Sequence, residues 1–305
     1  MLPRRPLAAL AAASLTLMVV SCSPEEAGTG IVVTTNILGD VTARIVGDQV
    51  PVTVLMPPDT DPHSFAISAR EAATLENADL VVHNGLGLEE GVARNVAAAE
   101  EAGVPALEVG SGVDPLPYTS DESEGEPDPH FWTDPARVLT AVDLITERVI
   151  EEVDGVDADT VRANAETYAA ELDELDAWMG EEFAALPAEN RRLVTNHHVF
   201  GYLADRYDFE VIGAVIPSGT TLASPSTSDL KDLSDAVAEA GVAAVFADSS
   251  QPDRLATVMA EEAGVEIEVV PLFTESLSAE GGGAETYLEM MRANTEAITA
   301  GLRDD

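Results

Sequence analysis

The sequence predicts an α/β fold: two α/β lobes joined by a long rigid backbone helix, with a cleft between the lobes. Three observations predict it. Strand and helix patterns alternate along residues 31–133 and again along residues 156–305. Between them, residues 134–155 carry a helical stripe and no strand signal. Beyond the first thirty residues about 275 remain, enough for two proper cores.

The elements follow in order. Ile31 to Thr35 is a run of apolar and β-branched residues and reads as a buried strand. Ile37 to Val46 has helical spacing and stops at Gly47. Val52 to Leu55 is a second strand, ended by Pro57 and Pro58. Ser68 to Asn77 is a helix, with Ser68 as N-cap and Glu71 three residues on, the spacing of a capping box. Asp79 to His83 is a third strand, closed by the turn Asn84-Gly85. A helix over Glu89 to Glu101 and a short strand over Ala106 to Val109 complete the first lobe's pattern.

Residues 112–128 break the alternation with a polar, proline-containing loop rich in Asp and Glu. Asp134 then offers an N-cap and Pro135 suits the first helical position. Val138, Val142, Ile145, Val149 and Ile150 keep the stripe going to Gly155, and about twenty residues at 1.5 Å each would form a strut of about 30 Å. A further helix is predicted from Asp159 to Ala185, with Pro187 beyond it. Strand Arg192 to Thr195, helix Val199 to Tyr207, strand Glu210 to Val215 and helix Ser228 to Ala240 continue the alternation. Strand Ala243 to Ala247, helix Asp253 to Ala263, strand Glu266 to Val270 and helix Ala284 to Leu302 close the chain.

The N-terminus reads as a targeting segment. Arg4 and Arg5 precede an apolar run from Leu7 to Val20, 14 residues, too short to favour a membrane span. It ends in Val19-Val20-Ser21-Cys22, which resembles the lipobox of bacterial lipoproteins. That resemblance implies a signal peptide over 1–21 and lipidation of Cys22 after cleavage, with residues 22–30 as a polar tether. Cys22 is the single cysteine, so no disulfide within the chain is expected. No later stretch has the apolar length of a span, so the membrane is expected to be met only through the lipid anchor. The location expected is the extracytoplasmic face of the cytoplasmic membrane, in the bacterial cell envelope.

Composition narrows the partners. Acidic residues number 56 against 15 basic ones, a net charge of −41, and Lys231 is the lone lysine. Such a charge repels nucleic acid and anionic lipid and keeps a protein soluble. Salt adaptation or a coding bias explains the overall charge better than a function does.

Neither explains the histidines. Of five, four lie in three segments: Asp61-Pro62-His63-Ser64-Phe65, Asp128-Pro129-His130-Phe131-Trp132 and Asn196-His197-His198-Val199-Phe200. Neutral imidazole is the commonest nitrogen ligand for zinc and related ions. In open α/β sheets ligands sit beyond the carboxyl ends of strands. His197 lies at such an end, His63 follows the second strand, and His130 precedes the strut. The interlobe cleft is where the three can meet. The spacing of 67 residues between His63 and His130, and again between His130 and His197, reads as coincidence, since no wider self-similarity accompanies it.

These landmarks carry a family resemblance. From about Ile31 to Leu302 the chain resembles the substrate-binding lipoproteins of zinc and manganese ABC transporters, receptors with a rigid helical backbone between two lobes. Besides the segments around His63 and His130, it rests on Asn196 to Tyr202 and on Phe273-Thr274-Glu275-Ser276-Leu277-Ser278 before the last helix. The resemblance implies four metal ligands: His63, His130, His197 and Glu275. His197 rather than His198 fits the register set by Phe200-Gly201-Tyr202. The family often has glutamate at the His197 position in manganese receptors, and commonly aspartate where this chain has Glu275. Asp248 is the substitute carboxylate should Glu275 not reach. His83 reads as structural, Trp132 and Tyr202 as packing, and the acidic loop 121–128 as solvated.

Three imidazoles and one carboxylate form a tetrahedral site suited to Zn²⁺, with bonds of about 2.0–2.2 Å. Mn²⁺, the alternative cargo, prefers more oxygen ligands. A closed set of four leaves no position for catalytic water, and the chain lacks the His-Glu-x-x-His helix of zinc hydrolases. The function expected is therefore not enzymatic: a monomeric zinc receptor that hands the ion to an ABC permease with its ATPase. A manganese or iron receptor, a surface adhesin or metallochaperone that uses this fold without a transporter, and a metal-dependent envelope hydrolase are the competing readings; a metallochaperone is also a candidate partner.

Overall fold

The computed structural model describes residues 30–120, 123–251, 254–262 and 268–303. The signal segment 1–21, Cys22 and the tether up to residue 29 lie outside them, as do Asp121 and Glu122. The chain runs β1 (Ile31–Val33), α1 (Asn36–Val46), β2 (Val52–Val54), α2 (Ala69–Leu75), β3 (Leu80–His83), α3 (Glu90–Glu101), β4 (Ala106–Glu108), α4 (Val109–Gly112), α5 (Pro135–Glu152) and α6 (Ala158–Ala184). It continues through β5 (Arg192–Thr195), α7 (Gly201–Tyr207), β6 (Glu210–Ala214), α8 (Thr227–Ala240), β7 (Ala244–Asp248), α9 (Arg254–Glu262), β8 (Glu268–Leu272) and α10 (Tyr287–Gly301).

Among the described residues two four-stranded sheets result, ordered β2-β1-β3-β4 and β6-β5-β7-β8, and every pairing within them is parallel. Parallel sheets need both faces covered, and β1 illustrates how. Ile31 and Val33 enter the large inner core, while Val32, pointing the other way, enters an outer core with Leu75, Val92 and Val96 beneath α2 and α3. A matching outer core under α8 and α9 holds Val194, Val237, Val245 and Ala256. The inner core is continuous through both lobes, from Ile31 along the α5 and α6 stripes to Phe246, Leu272 and Ile298.

Local signals account for many boundaries. Ser68 and Glu71 form the expected capping box, and the Asp134 carboxylate accepts the Ala136 N–H at 2.9 Å ahead of Pro135. The cap of α8 is Ser226, reciprocated by Asp229, two residues before the expected start. Strand β8 carries on through Pro271, past the Val270 end expected from sequence. It is an edge strand, and an edge position does not require the N–H that proline lacks.

The strut differs from the expectation. The stripe in 134–155 forms α5, which packs on α1, α4, β3 and α6. The helix that reaches both lobes is α6. Its 27 residues, about 40 Å long, bury Val161, Ala165, Tyr168, Leu172, Leu175, Met179 and Phe183. It packs on α1 and α5 near one end and on α7 and α10 towards the other. Asn164 donates to the Ile45 carbonyl at 3.1 Å, and Tyr207 donates to Asp176 at 2.7 Å. Gly155, at φ +82°, reverses the chain after α5, so α6 begins a separate helix. An apolar stripe reports that a helix is buried on one side, not what it is buried against. Among the described residues no helix is long and apolar enough to cross a membrane.

Candidate metal centre

Each ligand candidate is aimed by a short local device. In Asp61-Pro62-His63 the aspartate carboxylate accepts the backbone N–H of His63 at 2.9 Å. In Asp128-Pro129-His130 the Asp128 carboxylate does the same for His130, also at 2.9 Å. Both are Asx turns, in which a carboxylate replaces a backbone carbonyl two residues before the N–H it holds. Sequence reasoning passes over these aspartates, although Asp at that spacing is a readable turn signal.

The two aspartates then diverge. Asp128 Oδ1 also lies 2.7 Å from His130 Nδ1. A carboxylate accepts only, so Nδ1 carries the proton and Nε2 faces the centre with its lone pair. Asp61 instead turns Oδ2 towards the second lobe, accepting from Thr221 Oγ1 at 2.7 Å and Gln251 Nε2 at 2.9 Å. Tyr202, expected as packing, is buried and also holds Asp128: its hydroxyl donates to the Asp128 carbonyl at 2.7 Å.

His197 lies just past β5, where its carbonyl accepts from Thr195 Oγ1 at 2.6 Å. The next residue turns away: the His198 N–H donates to the Ser218 carbonyl at 3.1 Å, and its ring lies 6.5 Å from that of Tyr118. Glu275 sits in the loop after β8. Trp132 Nε1 donates to the Thr274 carbonyl at 2.9 Å, so this tryptophan fixes the neighbouring backbone as well as packing.

The structure brings together His63, His130, His197 and Glu275, each offering one ligand atom, with all four atoms within 4.8 Å of one another. The Nε2 atoms of His63 and His130 are 3.3 Å apart. Glu275 Oε1 lies 3.4 Å from His130 Nε2 and 2.9 Å from His197 Nε2. Ligand atoms about 2.1 Å from a tetrahedral ion stand about 3.4 Å apart, so the cluster has the right scale. His130 and His197 are wholly buried, Glu275 is 1% exposed and His63 3%. Asp248, the substitute carboxylate, is outside the cluster. Ser250 and Thr274 occupy its oxygens, and it braces the Glu275 loop from behind. His83 is also outside, at the end of β3 opposite Glu108. Among the described acidic residues of the loop, Glu124 and Glu126 are exposed and Asp128 turns inward, as the brace of His130.

The electrostatics point to a cation. Burial, followed by the nearby His130 and His197, pushes His63 down to about 2. Burial and His130 drive His197 well below its ordinary value. Burial also acts to lower His130, but the Glu275 and Asp128 carboxylates outweigh it and leave it raised. Burial lifts the Glu275 carboxyl to about 8, against the pull of His130 and with the push of Asp248, Asp61 and Asp128. Neutral imidazole is the form that coordinates. Both Glu275 oxygens and both His197 nitrogens are buried without a hydrogen-bond partner; the 2.9 Å approach between them lacks hydrogen-bond alignment. Such orphaned atoms are costly, and a divalent ion would satisfy the Glu275 carboxylate and one nitrogen of His197.

Comparison with known proteins identifies the family. The family model "Zinc-uptake complex component A periplasmic" matches residues 31–301. The chain is 31% identical to the manganese-binding lipoprotein MntA of Halalkalibacterium halodurans, over 94% of this chain and 95% of that one. It is 29% identical to the iron-binding protein YfeA of Yersinia pestis, over 89% and 86%. The solved periplasmic zinc-binding protein TroA of Treponema pallidum superposes with a TM-score of 0.83 at 28% identity, covering 91% of this chain and all of that one. The chain therefore belongs to the family of periplasmic zinc-uptake component A, metal-binding substrate receptors of ABC transporters and not enzymes.

Proposed function

We propose that this chain is an extracytoplasmic, high-affinity zinc receptor that delivers the ion to an ABC permease with its ATPase. His63, His130, His197 and Glu275 are the four ligands. The observation that carries the reading is the buried cluster of three imidazoles and one otherwise unpartnered carboxylate. Zinc takes four mixed nitrogen and oxygen ligands readily, and the buried Asp61, Asp128 and Asp248 around the site favour a divalent charge. The first lobe, residues 31–133, supplies His63 and His130, and the second, 156–305, supplies His197 and Glu275. α6, which opens the second stretch, ties the two lobes together, since it packs on elements of both.

A manganese cargo is the second reading, favoured by the MntA relative. Purified metal-free protein exposed to equal free Zn²⁺ and Mn²⁺ separates the two. Zinc retention at one ion per chain is expected; preferential manganese retention replaces zinc by manganese in the proposal. The protein acts as a monomer anchored to the membrane through lipid on Cys22, a reading supported by the segment Val19-Val20-Ser21-Cys22 and by relatives named as lipoproteins. Mass spectrometry of membrane-extracted protein should find an acylated N-terminus at Cys22. An unmodified chain cut elsewhere and free in the medium would refute the anchor.

A further inference from the structure

Glu275 follows a strand of the second lobe, yet its loop is fastened mainly to the first. Up to Phe273 the bonds are local to the second lobe: Asn294 of α10 receives the Phe273 N–H at 2.9 Å and donates to its carbonyl at 2.8 Å. From Thr274 onward the partners change. Trp132 donates to the Thr274 carbonyl, the Asp59 N–H donates to the Leu277 carbonyl at 3.0 Å, and the Ala279 N–H donates to Asp59 Oδ2 at 3.1 Å. The Thr60 N–H donates to Ser276 Oγ at 3.2 Å. The ties back to the second lobe are Thr274 Oγ1, bonded to Asp248, and, beyond the residues that Asn36 holds, Ser278, which pairs with Ala284 ahead of α10.

Asn36 is the centre of this fastening. It opens α1 and is 7% exposed. Its Oδ1 accepts the Leu277 N–H at 2.9 Å, and its Nδ2 donates to Ser276 Oγ at 2.7 Å and to the Pro57 carbonyl at 3.1 Å. One amide thus grips both residues that follow Glu275 and the segment leading to His63. The Glu275 carboxylate has no hydrogen bond of its own, so its aim depends on the backbone it hangs from. A ligand group is held to useful precision by such supporting contacts.

We propose that Asn36 is the positioning residue for Glu275, making that carboxylate part of the first lobe. His63, His130 and Glu275 then form one preset face, and His197 is the ligand the second lobe brings to it. This rests on the reading of Glu275 as a ligand.

A double-mutant cycle tests it. Zn²⁺ affinity is measured by competition with a chromophoric chelator for the wild type, Asn36→Ala, Glu275→Ala and the double variant, alongside the metal-free Tm of each. Asn36→Ala should weaken binding about 10–100-fold, the usual range for a residue supporting a ligand. In its background Glu275→Ala should cost at least about fivefold less than it does alone, because coupled residues are not additive. A general loosening of the fold would instead lower the metal-free Tm and leave the two losses additive. That result overturns the proposal while leaving Glu275 a ligand. If Glu275→Ala alone leaves affinity unchanged, the ligand assignment itself fails and Asn36 has nothing to position. Should Asn36→Ala not fold, Ser276→Ala, which removes the acceptor of Nδ2, runs the same cycle: coupled losses support the proposal and additive losses overturn it.

Discussion

The two sheets share one strand order, second-first-third-fourth, and each donates a ligand after its fourth strand, yet their other ligands come from different places. In the first lobe His63 follows the second strand and His130 comes in the long connection after the fourth. In the second lobe His197 follows the first strand and Glu275 the fourth. The end of β1 carries Thr34, which donates to Glu89 at 2.7 Å, where β5 carries His197. The loop after β6 carries no ligand where the loop after β2 carries His63. The difference teaches that the fold directs strand carboxyl ends at the cleft, while the choice of loop sets the donors. It also accounts for the repeated spacing of 67 residues. The three histidines occupy non-equivalent strand ends, so the equality does not reflect the repeat of the fold.

The sharpest way to break this comparison is to remove one ligand from each lobe. His130→Ala and His197→Ala should each lower zinc affinity on the order of a hundredfold or more, beyond the 10–100-fold typical of supporting residues. His198→Ala, whose ring lies towards Tyr118, should fall far short of that. Chelator competition on the three proteins decides it. A His198→Ala variant weaker than His197→Ala would move the second lobe's donor by one residue.

A smaller effect distinguishes the two Asp-Pro-His turns. Asp128→Asn keeps the turn acceptor but puts a neutral amide against His130 Nδ1. It should cost about 10–100-fold in zinc affinity. Asp61→Asn, which touches the His63 backbone but not its ring, should cost less. Equal losses would mean that the two turns act alike.

The pH dependence follows from Glu275. Its carboxyl, raised to about 8 by burial, holds a proton at neutral pH in the metal-free protein. The ion-bound form has lost that proton, so affinity rises with pH and levels off above about 8. One displaced proton corresponds to about tenfold per pH unit below that point. His63 and His197, already depressed, add nothing to the slope near neutrality. Calorimetry in two buffers of different ionisation enthalpy counts the released proton, and a flat profile from about pH 6 to 8 would contradict the assignment.

Much of this is legible in the chain. Strand alternation, the Ser68 cap and the Asp134-Pro135 helix start are local rules that act within a few residues. The histidine segments are readable because imidazole is scarce here. What escapes depends on distant partners. Asn36 looks like the start of a helix, and its role exists only through contact with Ser276 and Leu277, some 240 residues away. The stripe of α5 sits between the lobes in sequence and so suggests the strut, whereas α6 lies between them in space. Asp61 and Asp128 do not stand out in a chain with 56 acidic residues, where two more carry little weight without the turn they form.

The smallest expected effect concerns the loop after β6, which stands where the first lobe has a ligand. It closes over the cleft instead. Gly219 accepts from the Tyr118 hydroxyl at 3.2 Å and its N–H donates to Ser123 Oγ at 3.3 Å, both across the cleft. Thr221 donates to Asp61 on the His63 turn. Thr221→Val keeps the shape and deletes one hydrogen bond, and Asp61 Oδ2 retains Gln251. The loss of a bond of about 1 kcal/mol should speed zinc release about fivefold. The association rate and the metal-free Tm should stay near wild type, because changes at a closed contact appear chiefly in dissociation. Stopped-flow release into excess chelator reads the rate, and Thr221→Ser should restore it. Release at the wild-type rate would make the loop a bystander, leaving the second lobe to hold the ion through its ligands alone.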